Sequence, residues 1–170
     1  LSSVERYDPA LNAWEAVAPM ATARYAHAVA VLDGKLYAVG GSNGEGYALS
    51  SAERYDPVTN AWEEVAPMAT ARINHATAVL DGKLYAVGGY NGDDDYYLSS
   101  VERYDPALGA WEAVAPMAEA RNCHGVAVLD GKLYAVGGDG GGTRLSSVER
   151  YDPSVGAWEA VAPLAAARMK

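Results

Sequence analysis

The chain has 170 residues, half of them apolar and about a fifth charged, the profile of a folded globular domain and not of a disordered tail. Thirteen Lys and Arg against 22 Asp and Glu leave a net charge of −9, which argues against sequence-independent binding of nucleic acid, because that needs a positive field. The longest uncharged stretches run to about nine residues, far short of the ~20 a membrane helix needs, so no membrane partner is expected. A single cysteine, Cys123, rules out an internal disulfide framework and fits a reducing, cytoplasmic compartment.

The chain opens on Leu-Ser-Ser-Val-Glu-Arg-Tyr-Asp-Pro from Leu1, and the phrase returns at Leu49 (with Ala52 for Val), Leu98 and Leu145, at intervals of 48, 49 and 47 residues. Ala-Trp-Glu follows each copy, around Trp14, Trp62, Trp111 and Trp158, and then Val-Ala-Pro ending at Pro19, Pro67, Pro116 and Pro163. Between copies lies His-x-x-x-Val-Leu-Asp-Gly-Lys-Leu-Tyr-Ala-Val-Gly-Gly, from His27, His75 and His124. Such a period marks a repeat architecture. The boundaries are a half unit over 1–23, whole units over 24–71, 72–120 and 121–168, and the start of another at 169–170.

Within a unit the signals are those of strands. The Ala-rich run from Ala10 to Ala30 has helix propensity, yet Pro19 interrupts it and no apolar stripe recurs at 3.6 spacing. The pattern predicts strand a over His27–Leu32, b over Lys35–Gly40, c over Leu49–Tyr55 and d over Ala61–Val65. Asp33-Gly34 links a to b, and Asp81-Gly82 and Asp130-Gly131 repeat the link, which is a leading signal for a tight hairpin. Asp-Pro closes strand c, its proline presetting φ for the turn into d. Strands a and b are apolar on consecutive residues, so both of their faces should be buried. A radial stack of four-stranded sheets, each held between neighbours, satisfies that demand. The expected fold is therefore an all-β propeller of three complete blades and a two-stranded half blade, with small residues at the centre and Trp and Tyr further out.

These residues resemble kelch repeats of the kind found in kelch-like proteins. The double glycines (Gly40-Gly41, Gly88-Gly89, Gly137-Gly138), the tyrosines Tyr55, Tyr104 and Tyr151 and the tryptophans carry the resemblance, which covers the whole chain. It implies a protein-recognition platform, of the kind that often presents substrates to a cullin-based ubiquitin ligase. Three and a half blades do not close a ring. The chain is thus expected to be a fragment, an open arc that self-associates through an exposed apolar blade face and an unpaired strand edge.

Differences among the units locate the candidate site. The a–b turns and c–d links keep their length, whereas the b–c loops run Ser-Asn-Gly-Glu-Gly-Tyr-Ala, Tyr-Asn-Gly-Asp-Asp-Asp-Tyr-Tyr and Asp-Gly-Gly-Gly-Thr-Arg. The d–a links vary just after a repeated arginine. An up-down meander puts both variable regions on one face, the usual way to build a binding surface on a rigid scaffold. The candidate partner-binding residues are Tyr25, Ser42, Asn43, Ile73, Asn74, Tyr90, Asn91, Asp93, Asp94, Asp95, Tyr96, Asn122 and Asp139. The tyrosines around Asp93–Asp95 suggest a protein or peptide partner with a basic segment.

No cofactor or metal is expected. His27, His75 and His124 should ring the channel mouth as structural residues, too far apart to share an ion. Arg24, Arg72, Arg121 and Arg168 are expected to bond loop carbonyls, and Glu5, Glu53, Glu102 and Glu149 to pair with the neighbouring Arg6, Arg54, Arg103 and Arg150. The Gly-rich stretch after Val136 lacks the Lys-Ser/Thr of a phosphate loop. The chain is read as a non-enzyme. The alternatives are a kelch-fold enzyme of the galactose oxidase type, in which Cys123 would matter, and a consensus-like repeat scaffold with no ligand.

Overall fold

The computed structural model describes residues 1–92 and 97–169. They form three four-stranded antiparallel sheets and one two-stranded sheet. The half unit supplies β1 (Val4–Asp8) and β2 (Ala13–Val17). The first whole unit supplies β3 (Ala28–Leu32), β4 (Lys35–Val39), β5 (Ala52–Asp56) and β6 (Ala61–Val65). The second supplies β7 (Ala76–Leu80), β8 (Lys83–Val87), β9 (Val101–Asp105) and β10 (Ala110–Val114). The third supplies β11 (Gly125–Leu129), β12 (Lys132–Val136), β13 (Val148–Asp152) and β14 (Ala157–Val161). Each sheet is a plain meander, and the first strands of successive blades, β3, β7 and β11, lie against one another at the centre.

The a–b hairpins turn as expected. Asp33 and Gly34 sit at φ 51° and 72°, and the two later turns repeat these values closely, the left-handed pair that a type I′ turn requires. Strand c is the element whose start moves, beginning at Ala52 and not at Leu49. The carbonyls of Leu49 and Ser50 accept from Arg72 N (3.1 Å) and Met68 N (2.9 Å) of the following link, so they are unavailable to the blade's own ladder.

Burial depends on having neighbours. Strand β8, in the middle blade, is buried on both faces. The expectation of two buried faces for strand a is corrected. Strand β7, flanked by β3 and β11, is half-buried along its middle, while Val29 and Val31 of β3 and Val128 of β11 are exposed. Leu32, Tyr37, Val39 and Met68 of one blade pack with Leu84, Ala86 and Tyr104 of the next, and Leu80, Tyr85, Val87 and Met117 repeat this with Leu133, Ala135 and Tyr151. Beside the two-stranded sheet the apolar face is open instead, along cavities lined by Val4, Val17, Val31 and Leu36. The tryptophans stitch the junctions: Trp62, Trp111 and Trp158 donate from Nε1 to the carbonyls of Ala18, Ala66 and Ala115 in the preceding link, at 2.8, 2.8 and 2.9 Å.

Candidate functional site

The variable segments meet. Tyr25 and Ser42 exchange backbone hydrogen bonds at 3.0 and 2.9 Å, Ile73 and Tyr90 at 2.7 and 2.9 Å, and Asn122 and Asp139 at 2.9 and 2.8 Å. Each d–a link is thereby paired with its own blade's b–c loop, on the rim opposite the Asp-Gly turns. Tyr25 and Asn74 are exposed and Asn43, Tyr90, Asn91, Asn122 and Asp139 half-buried. Ser42 and Ile73 depart from the sequence reading. Both are buried, Ser42 facing Tyr25 and Ile73 facing Tyr90 in the bridges that join link to loop. Asp93, Asp94, Asp95 and Tyr96 lie outside the described residues. Flanking them, Tyr90 and Tyr97 meet ring to ring at 5.9 Å. Local turns shape the other loops: Asn43 Oδ1 accepts from Glu45 N (3.0 Å), and Asp139 Oδ1 from Gly141 N and Gly142 N (2.9 and 2.7 Å).

Beneath this surface lies a repeated polar floor. Arg24 Nη1 donates to the carbonyls of Gly40 and Ser51, both at 2.9 Å, and its Nη2 reaches Glu53 at 2.9 Å. Arg72 and Arg121 do the same with Gly88, Ser100 and Glu102 and with Gly137, Ser147 and Glu149. Arg24, Arg72 and Arg121 thus bond carbonyls as expected, but Glu53, Glu102 and Glu149 do not pair with the arginine beside them in sequence. Successive residues of a strand point to opposite faces. Glu53 therefore turns inward to Arg24 while Arg54 turns outward to Glu63 across the sheet. Glu53 also accepts from Ala21 N and Thr22 N, at 2.7 and 3.1 Å. Although burial opposes ionisation, the bonds from Arg24 and these amides hold its carboxyl below the usual range. In the third blade Glu119 replaces the threonine of the link and joins Arg121 at 3.1 Å.

The double glycine lets adjacent blades approach. Gly41 N donates to Arg72 O at 2.8 Å, and a Cβ on Gly40 would stand 2.7 Å from that same carbonyl oxygen. Side chains are excluded there.

At the centre of the face Ala26, His27, Asn74, His75 and Cys123 line a cavity of about 270 Å3. Its wall is a hydrogen-bonded stair from blade to blade, Asn74 N to Ala26 O at 3.0 Å and Cys123 N to Asn74 O at 3.1 Å. The three stair residues hold φ near 51–53°. Sequence reasoning did not assign Ala26 or Cys123 to the site, since neither is a residue type that signals left-handed backbone; only Asn74 carries that signal. Burial, then Arg72 and the other two histidines, pull the pKa of His75 down to about 3. Among the described residues no group of three or more His, Cys, Asp or Glu side chains is placed to hold a metal ion, and no helix is long and apolar enough to cross a membrane.

Blades fanned about a common centre, with varied loops on one rim over a repeated floor, define a repeat-built β-propeller. The family model of the KLHDC2/KLHL20/DRC7 Kelch-repeats domain matches residues 2–167, and the chain belongs to that family. It is similar to Kelch-like protein 5 of Homo sapiens, 54% identical over 44 residues, covering 26% of this chain and 6% of that protein. It is also similar to the Influenza virus NS1A-binding protein homolog of Mus musculus, 52% identical over 50 residues, covering 29% of this chain and 8% of that one. The matches thus span under a tenth of these relatives' length. The solved structure of YjhT superposes with a TM-score of 0.80 over 92% of this chain and 57% of that chain, at 22% identity, a likeness of fold.

Proposed function

We propose that the chain is a non-enzymatic protein-interaction module that grips a peptide segment on the loop face, and that it serves in the cytoplasm as the substrate-recognition part of a cullin-based ubiquitin ligase adaptor. The observation that carries this reading is the contrast between loops and floor. Gly, Arg, Ser and Glu recur unit by unit beneath the face, while the residues above them change from Tyr25 to Ile73 to Asn122 in the links and from Ser42 to Tyr90 to Asp139 in the loops. A surface kept rigid and varied only at its contacts suits recognition. Glu45 and Asp139, with Asp93–Asp95 in the sequence between them, favour a partner bearing a basic segment. The kelch-like character of the relatives supports the adaptor role.

Affinity capture with the chain and two variants tests the proposal. One variant shortens the loops at 43–47 and 91–96; the other changes the opposite rim by Val58→Ser and Leu108→Ser. A partner lost with the first and kept with the second fits. A partner lost only with the second overturns the assigned face.

A further inference from the structure

The asparagines of this chain have unequal surroundings. Asn43 and Asn91 each precede a glycine in a b–c loop, whereas Asn12, Asn60, Asn74 and Asn122 precede alanine, alanine, histidine and cysteine. Asn43 Oδ1 accepts from Glu45 N at 3.0 Å, an Asx turn that folds the carboxamide back over its own main chain beside Gly44. Gly44 is exposed at φ 91°, a Cβ there would meet nothing within 4 Å, and its N–H is engaged by no protein group among the described residues. The carboxamides of Asn12 and Asn60 are held instead by the hydroxyls of Tyr7 and Tyr55, at 2.7 and 2.9 Å. Cys123 N, the amide that follows Asn122, is bonded to Asn74 O at 3.1 Å, and the residue that follows Asn74 is the buried His75.

We propose that Asn43-Gly44 is a site of spontaneous deamidation, through which the loop face acquires a further carboxylate. The Gly44 amide loses its proton to hydroxide, and its nitrogen forms a bond to Asn43 Cγ. Negative charge gathers on Oδ1, where Glu45 N already donates and stabilises it. The carboxamide nitrogen takes up a proton and departs as ammonia, leaving a cyclic imide. Water then opens the ring, at Cγ to give aspartate or at the backbone carbonyl to give isoaspartate, so a water is consumed for each ammonia released. Glycine matters because a Cβ would crowd the attacking amide. A carboxylate suits such a turn: Asp139 Oδ1 accepts from Gly141 N and Gly142 N at 2.9 and 2.7 Å in the third loop. Conversion adds negative charge beside Glu45, and the isoaspartate form also lengthens the main chain by a carbon. The step does not depend on the peptide-recognition reading.

The test incubates the full chain in mildly alkaline buffer, both folded and in guanidinium chloride, and follows each asparagine by mass spectrometry of tryptic peptides, 36–54 for Asn43. Chromatography resolves the aspartate and isoaspartate forms. The proposal expects Asn43 to convert in the folded chain no more slowly than in the unfolded one, while Asn12, Asn60, Asn74 and Asn122 lag by about tenfold or more. Gly44→Ala, checked by its β-sheet spectrum, should slow Asn43 by about tenfold or more and leave those four unchanged. Slower conversion of Asn43 in the folded chain would overturn the proposal, as would a parental rate in Gly44→Ala or any of the four keeping pace with Asn43. Asn91 shares the dipeptide and is the internal reference: conversion there without conversion at Asn43 also overturns the assignment.

Discussion

The two-stranded sheet of β1 and β2 and the blade that follows it have nearly the same local sequence and very different surroundings. Glu53 is buried and receives Arg24 and two amides; Glu5, its equivalent, is exposed. Trp62 is half-buried and bonded to Ala18, whereas Trp14 is 67% exposed. Tyr7 and Trp14 still stack at 5.4 Å, much as Tyr55 and Trp62 do at 5.2 Å, and Arg6 still pairs with Glu15. What a strand pair owns by itself is thus retained, and what differs is everything contributed by the neighbouring link. The bonds and burial that the half unit lacks are those made at a junction, the interface term of a nearest-neighbour description of repeat proteins.

Glu53→Ala should give the largest effect, about 3–5 kcal/mol, by leaving the Arg24 guanidinium buried without its carboxylate. Glu5→Ala should change stability by no more than about 0.5 kcal/mol. Urea denaturation of the two variants checks the contrast, and equal effects would break it. Trp62→Ala should cost about 3 kcal/mol through lost packing and the lost bond to Ala18, against about 1 kcal/mol or less for Trp14→Ala. The thermal midpoints of both variants provide the comparison.

Acid provides the next test. His75 titrates near 3 when folded and near its ordinary 6.5 when unfolded, so below pH 6.5 the unfolded chain binds the extra proton and stability falls. The slope approaches roughly 1.4 kcal/mol per pH unit. Arg72, His27 and His124 face His75, and His27 is shifted the same way. The carboxyls of Glu53, Asp56 and Asp105 are lowered, so their contribution is fully present above the unfolded carboxylate range and is lost only on further acidification. Denaturation midpoints between pH 6.5 and 4.5 should therefore fall in the parent chain and fall less in His75→Gln. The last expected effect is a gain. Asn60, at φ 51°, accepts from the Tyr55 hydroxyl at 2.9 Å and from Ala18 N at 3.0 Å, whereas Gly109 holds its place one unit later at φ 63°. Gly109→Asn should add about 1 kcal/mol, measured by calorimetry, by giving the Tyr104 hydroxyl and Ala66 N the same acceptor.

Much of this fold is legible in the sequence because its determinants are local. Asp33-Gly34 specifies a turn by itself, and the spacing of Trp62 from Tyr55 places them opposite each other on adjacent strands. Determinants that cross a junction are less legible. The pairing of Glu53 with Arg24, 29 residues away, competes on paper with its neighbour Arg54, and only strand alternation decides between them. The site follows the same division. Loop lengths disclose the face, but the presence of Ala26 and Cys123 in the cavity wall arises from bonds between segments that no local residue type announces.

Hydrogen exchange of the full chain, with and without a peptide selected on it, tests most directly whether one rim recognises while the other only builds. The account predicts new protection at the links and loops around Asn74, Tyr90 and Asn122, with none at the turns 33–34, 81–82 and 130–131. Protection confined to those turns would contradict it.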